Sequence, residues 1–348
     1  MLNLSFEQLK KTVIRNCHIS DAQYAGNYTL CIYLLKMREF YRWEHKIPFG
    51  ENLSSDDIGR WLMARESYWD QLEQESFSQI YLNGQAVPCY DASGINNFLE
   101  QDNLIYSGGY GNYGKPVFFL ADLESKTSHK DYQLYICGHE YARELAAPPG
   151  MSQNQCIFIR KESLKRFIWE KYEESHWYNG ENPLAKALSC YNFEKNPELS
   201  LEQLASLEAD TVLYHEIGEI QSSAMLGSQW ADMLIQLPRS KSEFMARAVK
   251  DHIADALSTL PRLIENNDDS QIHFYFANFK GMRLEIFPSL LDAYQQWLKN
   301  KKLAALKKIT EQSEQHWIKL AQTMLVLFNE QGQSALPDIE ILVQKNYL

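Results

Sequence analysis

Two short stretches of this 348-residue chain combine residue types that can do chemistry. Leu213-Tyr-His-Glu-Ile-Gly-Glu-Ile220 places His215 and Glu219 four apart, so on a helix they share one face. Glu208, seven before His215, falls on the same stripe, and Glu216 stands beside it. In the second stretch, 243–255, Asp251 and Asp255 are four apart with His252 between them. If the two helices pack together, carboxylates and imidazoles converge. Helical bundles build metal sites from such inward-pointing side chains. An oxygen-rich set suits Mg²⁺ or Mn²⁺, and added imidazole shifts the choice toward iron, zinc or manganese.

The two stretches therefore predict a metal-dependent enzyme acting on a small-molecule substrate. In a hydrolytic version Glu216, Glu219 and Asp255 hold Mg²⁺ or Mn²⁺ and lower the pKa of an attacking water. In an oxidative version Glu208, His215, Glu219, Asp251 and His252 hold iron. An alternative is that Arg247 pairs with Asp251 and the histidine with a carboxylate, leaving only self-satisfied helical pairs. Projected at 100° per residue, the first helix is apolar on two arcs. One arc holds Leu213, Ile217, Ile220 and Ala224, and the other Leu201, Leu204 and Leu226. That pattern predicts a buried helix whose charges need partners.

Three other groupings carry less. Gly109, Gly114 and Lys115 have the spacing of a phosphate-binding loop, but Pro116 replaces the Ser or Thr that would meet Mg²⁺, and strand-like residues follow instead of a helix. A glycine-rich connection between extended segments is expected, with Tyr106, Tyr110 and Tyr113 over it or lining a cleft. His139-Glu-Tyr-Ala-Arg-Glu144 reads as a helical turn, either solvated or opening onto the same cleft. Cys137 near His139 and Cys17 beside His18 have the residue types of an activated thiol, although buried, inert cysteine is the simpler expectation. No H-E-x-x-H occurs, so a zincin protease has no support.

The elements that must position these residues read mostly as helices. Ser20 or Asp21 is expected to cap a helix with Leu30, Tyr33, Leu34, Met37 and Tyr41 on its apolar stripe. Ser54 or Ser55 should start another, with Asp56 and Asp57 in its first turn. Val117–Ala121, Tyr132–Cys137 and Gln155–Ile159 read as strands of an antiparallel element. Pro238, Pro261 and Pro288 should each cut the later helical stretch. The expected architecture is mainly α: a multi-helical, bundle-like body with a small antiparallel β element in mid-chain. Its regions are 1–100, helical; 101–160, β-containing; and 161–348, helical. One compact domain is an alternative.

Hydrophobic residues make up 45% of the chain, enough for a packed core. The net charge of -11 disfavours nucleic acid as a partner. No apolar run approaches the ~20 residues of a membrane helix, and the N-terminus lacks a signal-peptide pattern. The six scattered cysteines form no C-x-x-C pair. These features predict a cytoplasmic protein with free thiols and no membrane partner. A second functional class is a non-catalytic interaction or scaffold protein. It rests on Trp297, Leu298, Leu303, Leu306, Ile309 and Trp317 interleaved with lysines, a pattern that an amphipathic helix capping the core also explains.

Two resemblances follow from these residues. Glu216, Glu219 and Asp255 are similar to the E-x-x-E and E-x-x-D helices of MazG-like nucleotide pyrophosphohydrolases, although His252 stands where an acid is expected. That resemblance covers about 210–260 and implies Mg²⁺ over a nucleotide phosphoanhydride. Ile19-Ser-Asp-Ala22, Tyr41-Arg-Trp-Glu-His45, Tyr106-Ser-Gly-Gly-Tyr110-Gly, Gly114-Lys-Pro-Val-Phe-Phe-Leu120, Ala147-Pro-Pro149 and His215-Glu-Ile-Gly-Glu219 together resemble a family of uncharacterised bacterial proteins over most of the chain. That family implies no activity.

Overall fold

The computed structural model describes residues 2–111, 114–153, 155–176 and 180–348. Tyr113 lies outside the described residues. The chain divides into two compact units: 1–174 with 194–205, and 175–193 with 206–348.

The first unit contains α1 (Leu2–Tyr24), α2 (Leu30–Glu44), α3 (Ser55–Asp70), β1 (Ile80–Leu82), β2 (Gln85–Val87), α4 (Ala92–Leu99), β3 (Leu104–Tyr110), β4 (Pro116–Ser128), β5 (Gln133–Arg143), β6 (Gly150–Gln153), β7 (Cys156–Arg160) and α5 (Lys161–Ser175). β1 and β2 form a hairpin, and the rest form a five-stranded sheet ordered β3-β4-β5-β7-β6. This corrects the expectation of a mainly α body with a small antiparallel element. The sheet is mixed, because β5 and β7 run parallel, with Tyr135 opposite Phe158. The short strand β6 makes this possible. It leads the chain to the far edge and pairs antiparallel with β7.

The run Val117-Phe-Phe-Leu-Ala121 has no polar face because both faces of the sheet are covered. Phe118 and Leu120 point into a core with Leu9, Val13 and Cys17 of α1. Val117, Phe119 and Ala121 point into another with Tyr135, Cys137 and Phe158. The strands β3 and β6, rich in glycine and polar residues, gave no such signal. Gly108 is required by close approach: a Cβ there would collide with the Cys89 carbonyl and the Tyr106 hydroxyl.

Ser20 and Asp21 are buried inside α1 rather than capping the next helix. In α2, Met37 and Phe40 are buried while Leu30 and Leu34 are exposed, so the buried stripe is rotated from the expected one. Ser54 does cap α3, its hydroxyl accepting from the Asp57 amide.

The second unit contains α6 (Pro183–Ser189), most of α7 (Pro197–Leu226), α8 (Ser228–Gln236), α9 (Lys241–Ala254), a π turn (Asp255–Thr259), α10 (Leu260–Asn266), α11 (Asp269–Asn278), α12 (Met282–Ile286), α13 (Pro288–Asn300), α14 (Ala304–Gln331) and α15 (Leu336–Gln344). Helix α9 is central and packs against α8, α12, α14 and α15. Ser240 caps it, accepting from the Glu243 amide. Its face Met245, Val249 and Ile253 enters a core with Leu290, Trp297, Leu306 and Trp317. The tryptophans and leucines that suggested an interaction surface are thus largely core residues.

Pro261 does not cut the helix. Proline has no N–H and clashes with the carbonyl four residues back. The helix accommodates it by widening to the π turn and then continues as α10.

The buried face of α7 is not its most apolar face. Leu201, Leu204, Glu208, Glu216, Gly218, Ser222 and Leu226 are buried, while Leu213, Ile217 and Ile220 are half-buried and Ala224 is exposed. Gly218 marks the crossing with α9: a Cβ there would run into the Ala254 carbonyl. Gly218→Ala should therefore destabilise the protein by ~1–3 kcal/mol despite alanine's better helix propensity. Gly59→Ala, in α3 with open space around it, should stabilise by roughly 0.5–1 kcal/mol. Urea unfolding of the two variants checks both signs, and stabilisation by Gly218→Ala would refute the close crossing.

Candidate functional site

Where α7 crosses the end of α9, charges gather around Asp255, the first residue of the π turn. Asp255 is 1% exposed, and a buried carboxylate needs partners. It has three. Its Oδ1 lies 3.1 Å from His215 Nδ1. Its Oδ2 accepts from the Tyr275 hydroxyl at 2.7 Å and pairs with Arg283 Nη2. Burial alone would raise the Asp255 carboxyl, and Arg283 and His215 overcome it, holding the group well below the ordinary carboxylate range.

Burial favours neutral His215, but the hydrogen bond and charge of Asp255, with Glu219 and Glu216, push its pKa up to about 10. His215 is thus an imidazolium at neutral pH. Its side chain keeps 32% of its surface open, enough for a ligand to reach it. With Nδ1 engaged by Asp255, Nε2–H is the proton left to offer.

Asp251, one turn before Asp255, is partly buried, and its carboxylate makes no hydrogen bond to a described residue. Burial raises it to about 6, partly opposed by Arg283 and reinforced by Glu219. The expected Arg247–Asp251 pair does not form, because Arg247 pairs with Glu243. Lys250 Nζ lies 2.7 Å from Glu219 Oε2.

The structure therefore brings together His215, Glu216, Glu219, Asp251 and Asp255. It does not bring in Glu208 or His252. Glu208 is buried two helical turns away, near Thr211 and Asp268, and burial raises its carboxyl well above the ordinary range. His252 lies on the apolar side of α9, stacked on Trp317 at 4.9 Å, with Nε2 2.9 Å from the Arg283 carbonyl. Burial lowers it to about 3, so it is neutral. The spacing Val249, His252, Ile253, Ala256 already places it on that face. Tyr275 and Arg283 escaped sequence reasoning because they arrive from later helices, whereas Lys250 adjoins Asp251 and could have been read. Among the described residues no three His, Cys, Asp or Glu side chains are arranged to hold a metal ion.

The other sequence groupings fall in the first unit. His139–Arg143 forms the end of β5, with Glu144 following it, and so is a strand rather than a helical turn. Glu140 is bound by Arg160 Nε at 2.9 Å and by the Ser163 hydroxyl at 2.6 Å. Lys115 pairs with buried Asp21 at 2.9 Å rather than presenting itself to a phosphate. Tyr106 donates to the Cys89 carbonyl at 2.7 Å, and Tyr110 stacks on Tyr90. Cys17 and Cys137 are buried, and burial raises both thiols, so neither is activated. No helix among the described residues is long and apolar enough to cross a membrane.

The chain belongs to a family of unknown function, DUF6866. Its N-terminal domain matches residues 8–160 and its C-terminal domain residues 165–346. No curated protein and no solved structure matches the chain.

The His215–Asp255 pair predicts a pH response of known sign. The His215 pKa is raised by folding, so its stabilising contribution is full below the ordinary 6.5 and is lost as pH rises through about 10. Asp255 is lowered, so its contribution is present above 3.8 and disappears on acidification below that value. In Asp255→Asn the His215 midpoint, followed by histidine NMR, should fall from about 10 to near neutrality. A midpoint that stays near 10 would assign the charge to Glu216 and Glu219 instead.

Proposed function

We propose that the second unit carries an acid–base catalytic site for a small polar substrate, with His215 as proton donor and Asp251 as proton acceptor. One observation carries this reading. Around one buried anion, Asp255, a reachable histidine is held charged while the neighbouring carboxylate makes no hydrogen bond to a described residue and is raised to about 6. Environments that drive two neighbouring titratable groups apart are how a fold assigns an acid and a base.

In this reading Asp251 accepts a proton from water or a substrate hydroxyl or amine, and His215 Nε2–H protonates the leaving or developing oxyanion. Asp255 fixes the imidazolium and is itself fixed by Tyr275 and Arg283. A hydrolase or a lyase fits these roles. Of the cations at the site among the described residues, Lys250 is paired with Glu219 and Arg283 with Asp255. That favours a neutral hydrogen-bond donor over a polyanion. Metal-dependent phosphoanhydride hydrolysis and iron-dependent oxidation draw on overlapping residues, and the same assay separates them.

The assay is a panel of esters, amides, phosphoanhydrides and dehydratable hydroxy acids with the full chain. For any substrate turned over, His215→Gln and Asp251→Asn should each lose ~10²–10⁴-fold in rate. Glu208→Gln should retain it. Activity should survive EDTA and plateau between pH about 6 and about 10, where Asp251 is ionised and His215 still protonated. Equal rates in wild type and both variants would overturn the proposal. Loss on chelation, restored by Mg²⁺, Mn²⁺ or Fe²⁺, would return the site to metal chemistry.

A further inference from the structure

A second buried charge cluster lies in the first unit, and its accounting does not close. Arg160 is satisfied by Glu140 and Glu144. Arg42 is satisfied by Glu39 and the Pro48 carbonyl. Arg143 and Arg166 are not. Arg143 is 5% exposed and Arg166 7%. Arg143 Nη1 and both Nε and Nη1 of Arg166 are buried donors with no acceptor among the described residues. Arg143 spends Nε on the Glu144 carbonyl at 3.4 Å and stands 3.9 Å from Glu140, whose carboxylate Arg160 already holds. Arg166 uses only Nη2, on Glu162.

The two side chains are neighbours. Glu140 beside Arg143 and Glu162 beside Arg166 are linked, the Glu140 amide donating to Glu162 at 2.7 Å. Besides burial, the positive charge of Arg166 helps to lower Arg143 below its ordinary value. Two adjacent, desolvated guanidinium ions with idle donors are a costly arrangement unless an anion completes it. The aromatic neighbours say how it would enter. Trp43 covers Arg143 at 5.7 Å and Phe49 covers Arg166 at 5.3 Å. With rings over the guanidinium faces, the idle donors lie along the buried N–H edges. Those edges match the paired oxygens of a carboxylate or phosphate group.

We propose that Arg143 and Arg166 form a binding site for a small oxyanion, a phosphate or a carboxylate, in the first unit. It is independent of the His215 site, and its ligand contacts are N–H···O bonds from Arg143 Nη1 and from Arg166 Nε and Nη1. This inference assigns a role to the Arg143 of the His139–Glu144 motif that the acid–base reading leaves unused.

The test is titration of the full chain with inorganic phosphate and, separately, with acetate and succinate, at constant ionic strength set by chloride. The readouts are the melting temperature and the arginine Nε–H NMR signals. Phosphate or one of the carboxylates should raise the melting temperature by several degrees at ~100 times its Kd and shift the Arg166 Nε–H resonance. The better of these probes decides between phosphate and carboxylate. Arg143→Met and Arg166→Met should each weaken binding at least tenfold, while Arg60→Met, at an exposed pair with Asp57, should not. If a methionine variant fails to fold, Arg166→Lys keeps the charge but removes the Nε–H edge and should still lose most of the affinity. Unchanged melting and an unmoved Arg166 signal at tens of millimolar of all three anions would overturn the proposal, as would equal binding by Arg166→Lys.

Discussion

The second unit depends on one buried carboxylate. Asp255 accepts from α7 through His215, from α11 through Tyr275 and from α12 through Arg283. Three helices thus converge on a group that could not stay ionised without them. Charged hydrogen bonds in a desolvated setting are among the stronger interactions available to a fold, and breaking one side leaves a buried charge behind. The π turn belongs to the same construction. Pro261 prevents regular helix hydrogen bonding at this point, and Asp255 opens the widened turn that results. Such turns recur at functional sites.

Both units bury charge in networks, and they close them to different degrees. Around Asp255 both carboxylate oxygens are engaged, while next to it Asp251 makes no hydrogen bond to a described residue. In the first unit the Glu140–Arg160 pair is closed by Ser163. Burial would raise Glu140, but Arg160 and Arg143 reverse this and hold it below its ordinary value. Buried polar atoms without a partner among the described residues remain in both networks: Glu219 Oε1 and Arg283 Nε near Asp255, and Arg143 Nη1, Glu144 Oε2 and Nε and Nη1 of Arg166 in the first unit. A packing role alone would be served as well by apolar residues of similar volume.

The sequence signals that proved legible were those with local periodicity. The continuous apolar run Val117–Ala121 was readable as a strand, and the structure covers both its faces; the four-residue spacings put His215 with Glu219 and Asp251 with Asp255 on shared helix faces. Direction was harder. On α7 the most apolar arc is only half-buried, because the contact with α9 is made through Gly218 and polar residues and is governed by backbone proximity. The sheet was underestimated because β3 and β6 lack a hydrophobic pattern and because parallel pairing of β5 with β7 is a property of topology. Tyr275 and Arg283 were illegible for the same reason. Arg283 follows Asp255 by 28 residues, and nothing in the sequence around it marks it as that carboxylate's partner.

The placement of α1 on the sheet has a consequence for synthesis. Its buried partners are far downstream: Cys17 meets the Phe118 carbonyl and Asp21 the Leu145 amide. At ~5–20 residues per second, the ribosome needs on the order of ten seconds or more after releasing α1 to supply the strands that cover it. During that interval Leu9, Val13 and Cys17 have no sheet to pack against. Helix α1 is therefore a waiting element, and the first unit's folding is timed by the emergence of β4 and β5 rather than by the helix itself.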